Sequence, residues 1–122
     1  MKHALVIEDN ILIAMMIEGE LRVSGYDSVA IAGSQEAAIR AAELQCPDFI
    51  TADEKLDDGS GIAAIRHICQ DRSIPVVFVV ADGSEVRRAI PGAVVLLKPF
   101  AGGALSAAVA TALAATGELA TS

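Results

Sequence analysis

Residues 49–55 decide the fold that this sequence predicts, and they read Phe49-Ile50-Thr51-Ala52-Asp53-Glu54-Lys55. A mostly apolar run ends there at a carboxylate, and the chain continues into Leu56-Asp57-Asp58-Gly59-Ser60-Gly61. Strands of a parallel sheet are covered on both faces, so their sequences are nearly continuous in hydrophobic residues. In an open α/β sheet the ligand crevice lies outside the carboxyl ends of the strands. The pattern therefore predicts a buried strand that places Asp53 at the mouth of a sheet.

The composition is that of one acidic domain. The chain has 122 residues, of which 53% are hydrophobic, and its formal net charge is -7. An acidic surface argues against direct nucleic-acid binding, because phosphate backbones attract basic side chains. No apolar run approaches the ~20 residues of a membrane-spanning helix. We expect a single cytoplasmic domain over residues 1–122, with a core from residue 3 to residue 115 and a short polar tail.

Strand and helix patterns alternate five times along the chain. Apolar runs predict strands, and the segments that follow them predict helices: strands at 3–7, 27–32, 48–52, 76–80 and 93–97, helices at 11–24, 35–45, 60–70, 85–90 and 103–115. Asn10 and Ser34 are good N-caps, and Gly25 can end the first helix. We expect Met15 and Met16 to fill the apolar face of that helix. Strict alternation requires a parallel sheet with helices on both faces and right-handed connections.

Three carboxylates and one lysine follow predicted strands at the same edge of the sheet. Glu8 and Asp9 follow the first strand, Asp53 the third and Lys98 the fifth. Crowded carboxylates repel one another, and a hard cation such as Mg²⁺ relieves that repulsion while it keeps waters and phosphate oxygens as further ligands. Phosphoryl transfer asks the protein mainly for positioning and charge neutralisation, and aspartate can form a covalent phosphate intermediate. The four residues therefore predict phosphoryl chemistry at Asp53.

The sequence resembles the receiver domain of two-component response regulators over essentially its whole length. The residues that carry the resemblance are the pair Glu8-Asp9, Asp53 with Gly61 eight residues later, and Lys98-Pro99-Phe100. The resemblance implies a flavodoxin-like (CheY-like) sheet of five parallel strands in the order 2-1-3-4-5. This architecture agrees with the alternation of strands and helices.

The same resemblance implies a function. Asp53 would accept a phosphoryl group from a histidine kinase, a phosphotransfer protein or a small acyl phosphate. Glu8, Asp9, Asp53 and the backbone carbonyl of Lys55 would bind Mg²⁺. Lys98 would pair with the phosphoryl oxygens after a cis bond to Pro99, and we expect it to serve charge neutralisation rather than fold stability.

The receiver resemblance also implies how the chain signals. The output would be contact with a downstream protein target, and a homodimer is compatible with the family. The chain would be no enzyme beyond its own phosphotransfer and autodephosphorylation. We therefore predict a phosphorelay module that acts through protein contact.

Three features depart from the usual receiver pattern. Val80 replaces the Ser or Thr that ends the fourth strand, and valine has no hydrogen-bond donor in its side chain. Val95 replaces the aromatic residue three positions before the lysine, so both switch positions lack their usual side chain. The segment from Val80 to Lys98 is about four residues short, roughly one helical turn. We expect the fourth helix to be a stub.

Two other functions compete with the phosphoacceptor interpretation. Val80, Val95 and the short fourth helix favour a degenerate receiver that binds proteins without phosphorylation, whereas the intact acids and Lys98 oppose it. A small aspartyl-phosphate phosphatase is the less favoured alternative, because its general acid could only be Glu54, whose place beside Asp53 in the chain usually points a side chain elsewhere. The charge of Lys55 could reach the phosphoryl group or remain in solvent.

Overall fold

The computed structural model describes residues 1–121, with side chains as far as residue 115. Within this range the five predicted strands and five predicted helices are present. The strands are β1 (His3–Ile7), β2 (Ser28–Ala32), β3 (Phe49–Ala52), β4 (Val76–Val80) and β5 (Val94–Leu97). The helices are α1 (Ile11–Val23), α2 (Gln35–Leu44), α3 (Gly61–Ile68), α4 (Ser84–Ala89) and α5 (Ala104–Thr121).

The strands form one parallel sheet in the order β2-β1-β3-β4-β5, which confirms the predicted fold class. The register brings the carboxyl ends of the strands together. Ile7 is aligned with Ala52 across β1 and β3, and Val80 with Leu97 across β4 and β5. The residues that follow these positions therefore lie at one edge of the sheet.

Each face of the sheet has its own hydrophobic core. Successive side chains of a strand point to opposite faces, so β1 sends Leu5 and Ile7 to one core and Val6 to the other. The first core is closed by the apolar face of α3, where Ile62, Ile65 and Ile68 are buried. The second is closed by α1 and α5. All four residues of β3 are buried, so the sheet holds the start of the Asp53 loop from both sides.

The predicted helix caps are confirmed. Oδ1 of Asn10 accepts hydrogen bonds from the backbone N–H groups of Leu12 and Ile13, at 3.1 and 3.2 Å. Ser34 Oγ accepts from the N–H of Ala37 at 3.1 Å. Gly25 follows α1 with a φ of 105°, a left-handed conformation that glycine adopts without a steric penalty. Local sequence therefore determines where α1 and α2 begin.

The end of the chain differs from the prediction. α5 continues to Thr121, so the expected polar tail after residue 115 is helical over its described part, and Ser122 lies outside the described residues. Its alanine-rich sequence favours helix, and the one residue that opposes it, Gly117, costs only about 1 kcal/mol. In the described part of the chain, no helix combines the length and the hydropathy needed to cross a membrane.

Two side chains also differ from expectation. Met15 and Met16 do not fill the core, because both are exposed on the surface of α1. Cys46 and Cys69 are both free, and Arg72 Nη1 lies 2.6 Å from the Sγ of the exposed Cys46. The predicted stub is present, since α4 has six residues.

Candidate functional site

The three predicted carboxylates meet at the carboxyl edge of the sheet. Glu8 and Asp9 follow β1 and Asp53 follows β3, and one carboxylate oxygen of each lies within 4.8 Å of the others. Glu8 is buried, whereas Asp9 and Asp53 are half-buried. The group is thus open to a ligand from the solvent side.

Lys98 lies among these acids, immediately after β5. Its Nζ donates to Glu8 Oε1 at 2.7 Å and to Asp53 Oδ2 at 2.8 Å. The side chains of Lys98 and Glu8 are only 16% and 2% exposed, so this ion pair is largely removed from water. This ion pair favours a part for Lys98 in fold stability, contrary to the expectation from the sequence, because the buried charge of Glu8 depends on it. The Lys98-Pro99 peptide bond is cis.

The ionisation of the site is governed by burial and pairing. Burial raises the pKa of Glu8, and the hydrogen bonds from Lys98 and from the Asn10 N–H reduce but do not cancel that rise. Burial alone would lower the pKa of Lys98, but hydrogen bonds to Asp53 and Glu8 outweigh it and raise this pKa above its usual value. Lys98 holds two carboxylates at hydrogen-bond distance and therefore stays charged between them.

The loop after β3 is held close to the acids. Asp9 Oδ2 accepts a hydrogen bond from the Asp57 N–H at 2.8 Å, and Asp53 Oδ1 accepts from the Lys55 N–H at 3.3 Å. Lys55 and Ser60 form an isolated antiparallel bridge across the base of the loop. A Cβ on Gly61 would overlap the backbone carbonyl of Asp53, so the close return of the chain at this position requires glycine.

The oxygen atoms present suit a hard divalent cation. Carboxylate and backbone carbonyl oxygens are the ligands that Mg²⁺ accepts in small numbers while it keeps several waters. Asp9 uses one of its two carboxylate oxygens for the Asp57 N–H, and Asp53 Oδ1 accepts a long hydrogen bond from the Lys55 N–H. These two residues therefore have capacity for a cation, and Glu8 is more fully used because both of its oxygens accept hydrogen bonds.

The two predicted switch positions carry apolar side chains that pack into the first core. Val80 is fully buried at the end of β4, and its carbonyl accepts a hydrogen bond from the Lys98 N–H at 2.8 Å. Val95 is half-buried and packs against the first core. A Cβ on Gly83 would come within 2.9 Å of Val95 Cγ1. Neither valine can donate a side-chain hydrogen bond to a group on Asp53.

Two acids near the site have structural roles. Glu54 is 8% exposed, and its pKa is raised by burial and by the neighbouring carboxyl of Glu85 in α4. It therefore faces α4. Asp82 Oδ1 accepts hydrogen bonds from the N–H and hydroxyl of Ser84 at 3.0 and 2.6 Å, which lowers its pKa and supports the start of α4. Lys55 is exposed.

One residue near the site was not anticipated from the sequence. Gln35, the first residue of α2, donates its backbone N–H to the carbonyl of Asp58 at 3.1 Å and accepts the Ser60 N–H on its side-chain oxygen at 2.9 Å. Both bonds join residues that are more than twenty positions apart in sequence. The only local signal was the Ser34 cap, which predicts a helix start and says nothing about the loop.

The order of the strands, the acidic group and its lysine match a known family. A family model described as "Response regulator receiver domain" matches residues 4–110. The chain belongs to the response regulator receiver family. Such a receiver domain is the phosphoacceptor module of two-component signalling, which confirms the predicted class of function.

Relatives of this receiver domain are longer regulators. It is 35% identical over 103 residues to the transcriptional regulatory protein PdtaR of Mycobacterium tuberculosis, covering 81% of this chain and 50% of PdtaR. It is 33% identical over 114 residues to the phyllosphere-induced regulator PhyR of Methylorubrum extorquens, covering 89% of this chain and 42% of PhyR. The chain therefore spans half or less of the length of these relatives.

Solved structures agree with the sheet order. The response regulator PhyR from Brucella abortus superposes with a TM-score of 0.85 at 31% identity, over 98% of this chain and 51% of that one. The chemotaxis protein CheY4 of Vibrio cholerae superposes with a TM-score of 0.80 at 22% identity, over 92% of this chain and 98% of that one, which supports the fold alone.

Proposed function

We propose that Asp53 of this receiver domain accepts a phosphoryl group from a histidine kinase or phosphotransfer protein, with Mg²⁺ as cofactor, in the cytoplasm. The observation that carries the proposal is the position of Lys98 Nζ, 2.8 Å from Asp53 Oδ2 and beside a group of three carboxylates. A cation held by Glu8, Asp9, Asp53 and the Lys55 carbonyl would supply charge neutralisation for the phosphoryl oxygens. Lys98 would leave the carboxylates to pair with these oxygens.

The chemistry asks little else of the protein. A carboxylate oxygen of Asp53 attacks phosphorus, a P–O bond forms, and the P–N bond of the donor phosphohistidine breaks. The electron pair of that bond goes to the imidazole nitrogen. Lys98 stabilises the charge on the transferring oxygens by proximity, as fixed positive groups do in phosphoryl transfer. In autodephosphorylation water would attack phosphorus, the P–O bond to Asp53 would break, and inorganic phosphate would leave the free carboxylate behind.

Acetyl phosphate provides the direct test. Incubation of the protein with acetyl phosphate and Mg²⁺ should add one phosphate, detected by intact-protein mass spectrometry. Asp53→Asn and treatment with EDTA should each abolish the addition. Asp58→Asn is the matched control, because Asp58 is an exposed acid of the same loop. Labelling of the Asp53→Asn protein at the wild-type level would contradict the assignment.

An exposed apolar surface beside the site supports a protein as phosphodonor. α1 presents large hydrophobic side chains to solvent, namely Ile11, Leu12, Met15, Met16 and Val23. A shallow groove lined by Ile13, Met16, Lys98, Pro99 and Phe100 continues this surface to the acceptor site. A contiguous apolar patch on a monomer commonly marks a protein contact. A donor bound there would reach the edge of the sheet at which Asp53 lies.

A phosphorylation-independent binding module is the second candidate, and Val80 favours it. The buried valine removes a hydrogen-bond donor from the end of β4, so a phosphoryl group on Asp53 has one partner fewer in the fold. The acetyl phosphate experiment separates the two functions, since the second predicts no phosphate on the wild-type protein. A protein target and a homodimer both remain predictions.

A further inference from the structure

We propose that Gln35 is a positioning residue for the metal-binding loop, and that it acts by holding the segment that carries the Lys55 carbonyl. The inference rests on the proposed use of that carbonyl as a Mg²⁺ ligand. Gln35 lies on α2, outside the acidic group, so its contacts with the loop do not depend on the carboxylates. Two hydrogen bonds and one close approach connect it to the loop, and a backbone bridge within the loop joins Ser60 to Lys55.

Gln35 binds the loop on both sides of Gly59. Its backbone N–H donates to the Asp58 carbonyl at 3.1 Å, and its Oε1 accepts the Ser60 N–H at 2.9 Å. The N–H groups of the first helical turn have no partner within their helix, so the first bond also satisfies the start of α2. One residue therefore fixes two positions of a loop that belongs to a different part of the chain.

The fit between Gln35 and the loop is close. Gly59 has a φ of 92°, and a Cβ at this position would come within 2.5 Å of Gln35 Cβ and 2.6 Å of its Oε1. A side chain on residue 59 would push the loop away from α2. The glycine thus serves the contact as well as the turn.

The Lys55–Ser60 bridge connects the segment held by Gln35 to the proposed metal ligand, the Lys55 carbonyl. Ser60, held by Gln35 through its N–H, pairs with Lys55. Next to this pair, the Gly61 N–H donates to the Glu54 carbonyl at 3.0 Å. The Asp57 N–H is bound to Asp9 on the other side of the loop. Without Gln35 Oε1, the Ser60 N–H loses the side-chain oxygen that accepts its hydrogen bond. The Ser60 end of the loop is then held less firmly, and the Lys55 carbonyl is less well oriented.

Removing the acceptor oxygen tests the inference. Gln35→Ala and the similarly shaped Gln35→Met both keep the backbone N–H but lose Oε1. Each should weaken Mg²⁺ binding about tenfold, the lower end of the range for residues that position metal ligands, measured by titration of backbone amide shifts. Gln35→Glu keeps an acceptor oxygen and should restore the affinity. Glu36→Gln is the control for charge, because Glu36 is the exposed neighbour on the same turn.

Two readouts separate positioning from general stability. In labelling with acetyl phosphate, Gln35→Ala and Gln35→Met should need about tenfold more Mg²⁺ for half-maximal rate but reach the wild-type rate at saturation. In the metal-free proteins, the Ser60 amide should exchange with solvent faster than in wild type, while amides of β3 are unchanged. Wild-type Mg²⁺ affinity in both variants would overturn the inference and leave the proposed function intact. A wild-type protein that binds no Mg²⁺ would overturn both.

Discussion

Lys98 is the residue on which the charge balance of the acceptor site depends. It is the shared partner of Glu8 and Asp53, and the Glu8 carboxyl is almost inaccessible to water. Loss of one member of a buried pair leaves the other charge uncompensated. The lysine is therefore expected to contribute to stability and to phosphoryl transfer together.

We predict that Lys98→Ala is destabilised by about 3 kcal/mol at neutral pH. The pKa of Glu8 is already raised by burial, and Lys98 is the first factor that lowers it again. Without Lys98 this pKa rises further, so the folded state binds a proton more tightly than the unfolded state. The stability of Lys98→Ala is then retained at acid pH and lost as the pH rises through the pKa of Glu8 in the folded state. Urea unfolding at about pH 5 and about pH 7 measures the free energy of unfolding at each pH.

The double variant Glu8→Gln with Lys98→Ala provides the control. Both variants leave Asp53 without its lysine, but only Lys98→Ala also leaves the buried Glu8 carboxylate unpaired. The stability of the double variant should therefore vary less between the two pH values than that of Lys98→Ala. An equal loss of stability for the single variant at both pH values would show that Lys98 acts through packing of its alkyl chain instead.

Gly61 offers a steric prediction at the same scale. A methyl group there would overlap the carbonyl of Asp53, whereas one on Gly19 in α1 meets no atom within 4 Å. Gly61→Ala should therefore lose about 2 kcal/mol of stability or more, and Gly19→Ala should gain about 0.5–1 kcal/mol from helix propensity. Thermal unfolding compares the two. A neutral Gly61→Ala would mean that the loop can move away from β3 without cost.

The two switch positions, Val80 at the end of β4 and Val95 in β5, have no side chain that can donate a hydrogen bond. We predict that beryllofluoride, which mimics the phosphoryl group on Asp53, changes backbone amide shifts at residues 8–10 and 53–61 and little in α4 and β5. The missing charge-assisted hydrogen bond at Val80 removes about 1.5–3 kcal/mol of differential interaction. A ligand shifts a conformational equilibrium only by such a difference.

The double variant Val80→Thr with Val95→Tyr is the converse experiment. It should extend the shift changes into β5. Large changes across β4 and β5 in the wild-type protein would contradict the first prediction. They would show that the backbone, without either side chain, transmits the signal.

The apolar surface of α1 gives a prediction about the donor. Met16→Glu should slow phosphoryl transfer from a protein donor about tenfold or more, because a charge would be buried in an apolar contact, and should leave labelling by acetyl phosphate unchanged. Leu44→Glu is the matched control, since Leu44 is an exposed hydrophobic residue on α2. Equal slowing by both donors would place Met16 in the acceptor site itself. Stopped-flow or gel-based transfer assays give the rates.

At the scale of the whole molecule, the sequence predicted what depends on local pattern and strand order. The strands, the stub of α4 and the meeting of Glu8, Asp9, Asp53 and Lys98 follow from apolar runs and from parallel connection. Exposure within α1 could not be predicted, because apolar side chains lie on all sides of that helix and only packing selects those that are buried. The Gln35 contact has no local signal, since it depends on how α2 and the Asp53 loop approach each other. α5 was predicted too short because the residues after 115 were interpreted as a polar tail, whereas Gly117 interrupts a helix only weakly.

The half-buried state of β5 has a consequence for the order in which the domain opens. β5 lies at an edge of the sheet with three half-buried residues and one exposed, while β3 is central and buried throughout. Native proteins open in cooperative parts of unequal free energy, so the amides of β5 should exchange at lower denaturant than those of β3. Lys98 follows β5 directly and attaches its carboxyl end to Glu8 and Asp53. An occupied acceptor site would then suppress opening of this edge. The protein would carry its signal as a change in how well the β5 amides are protected from hydrogen exchange, rather than as a change in shape.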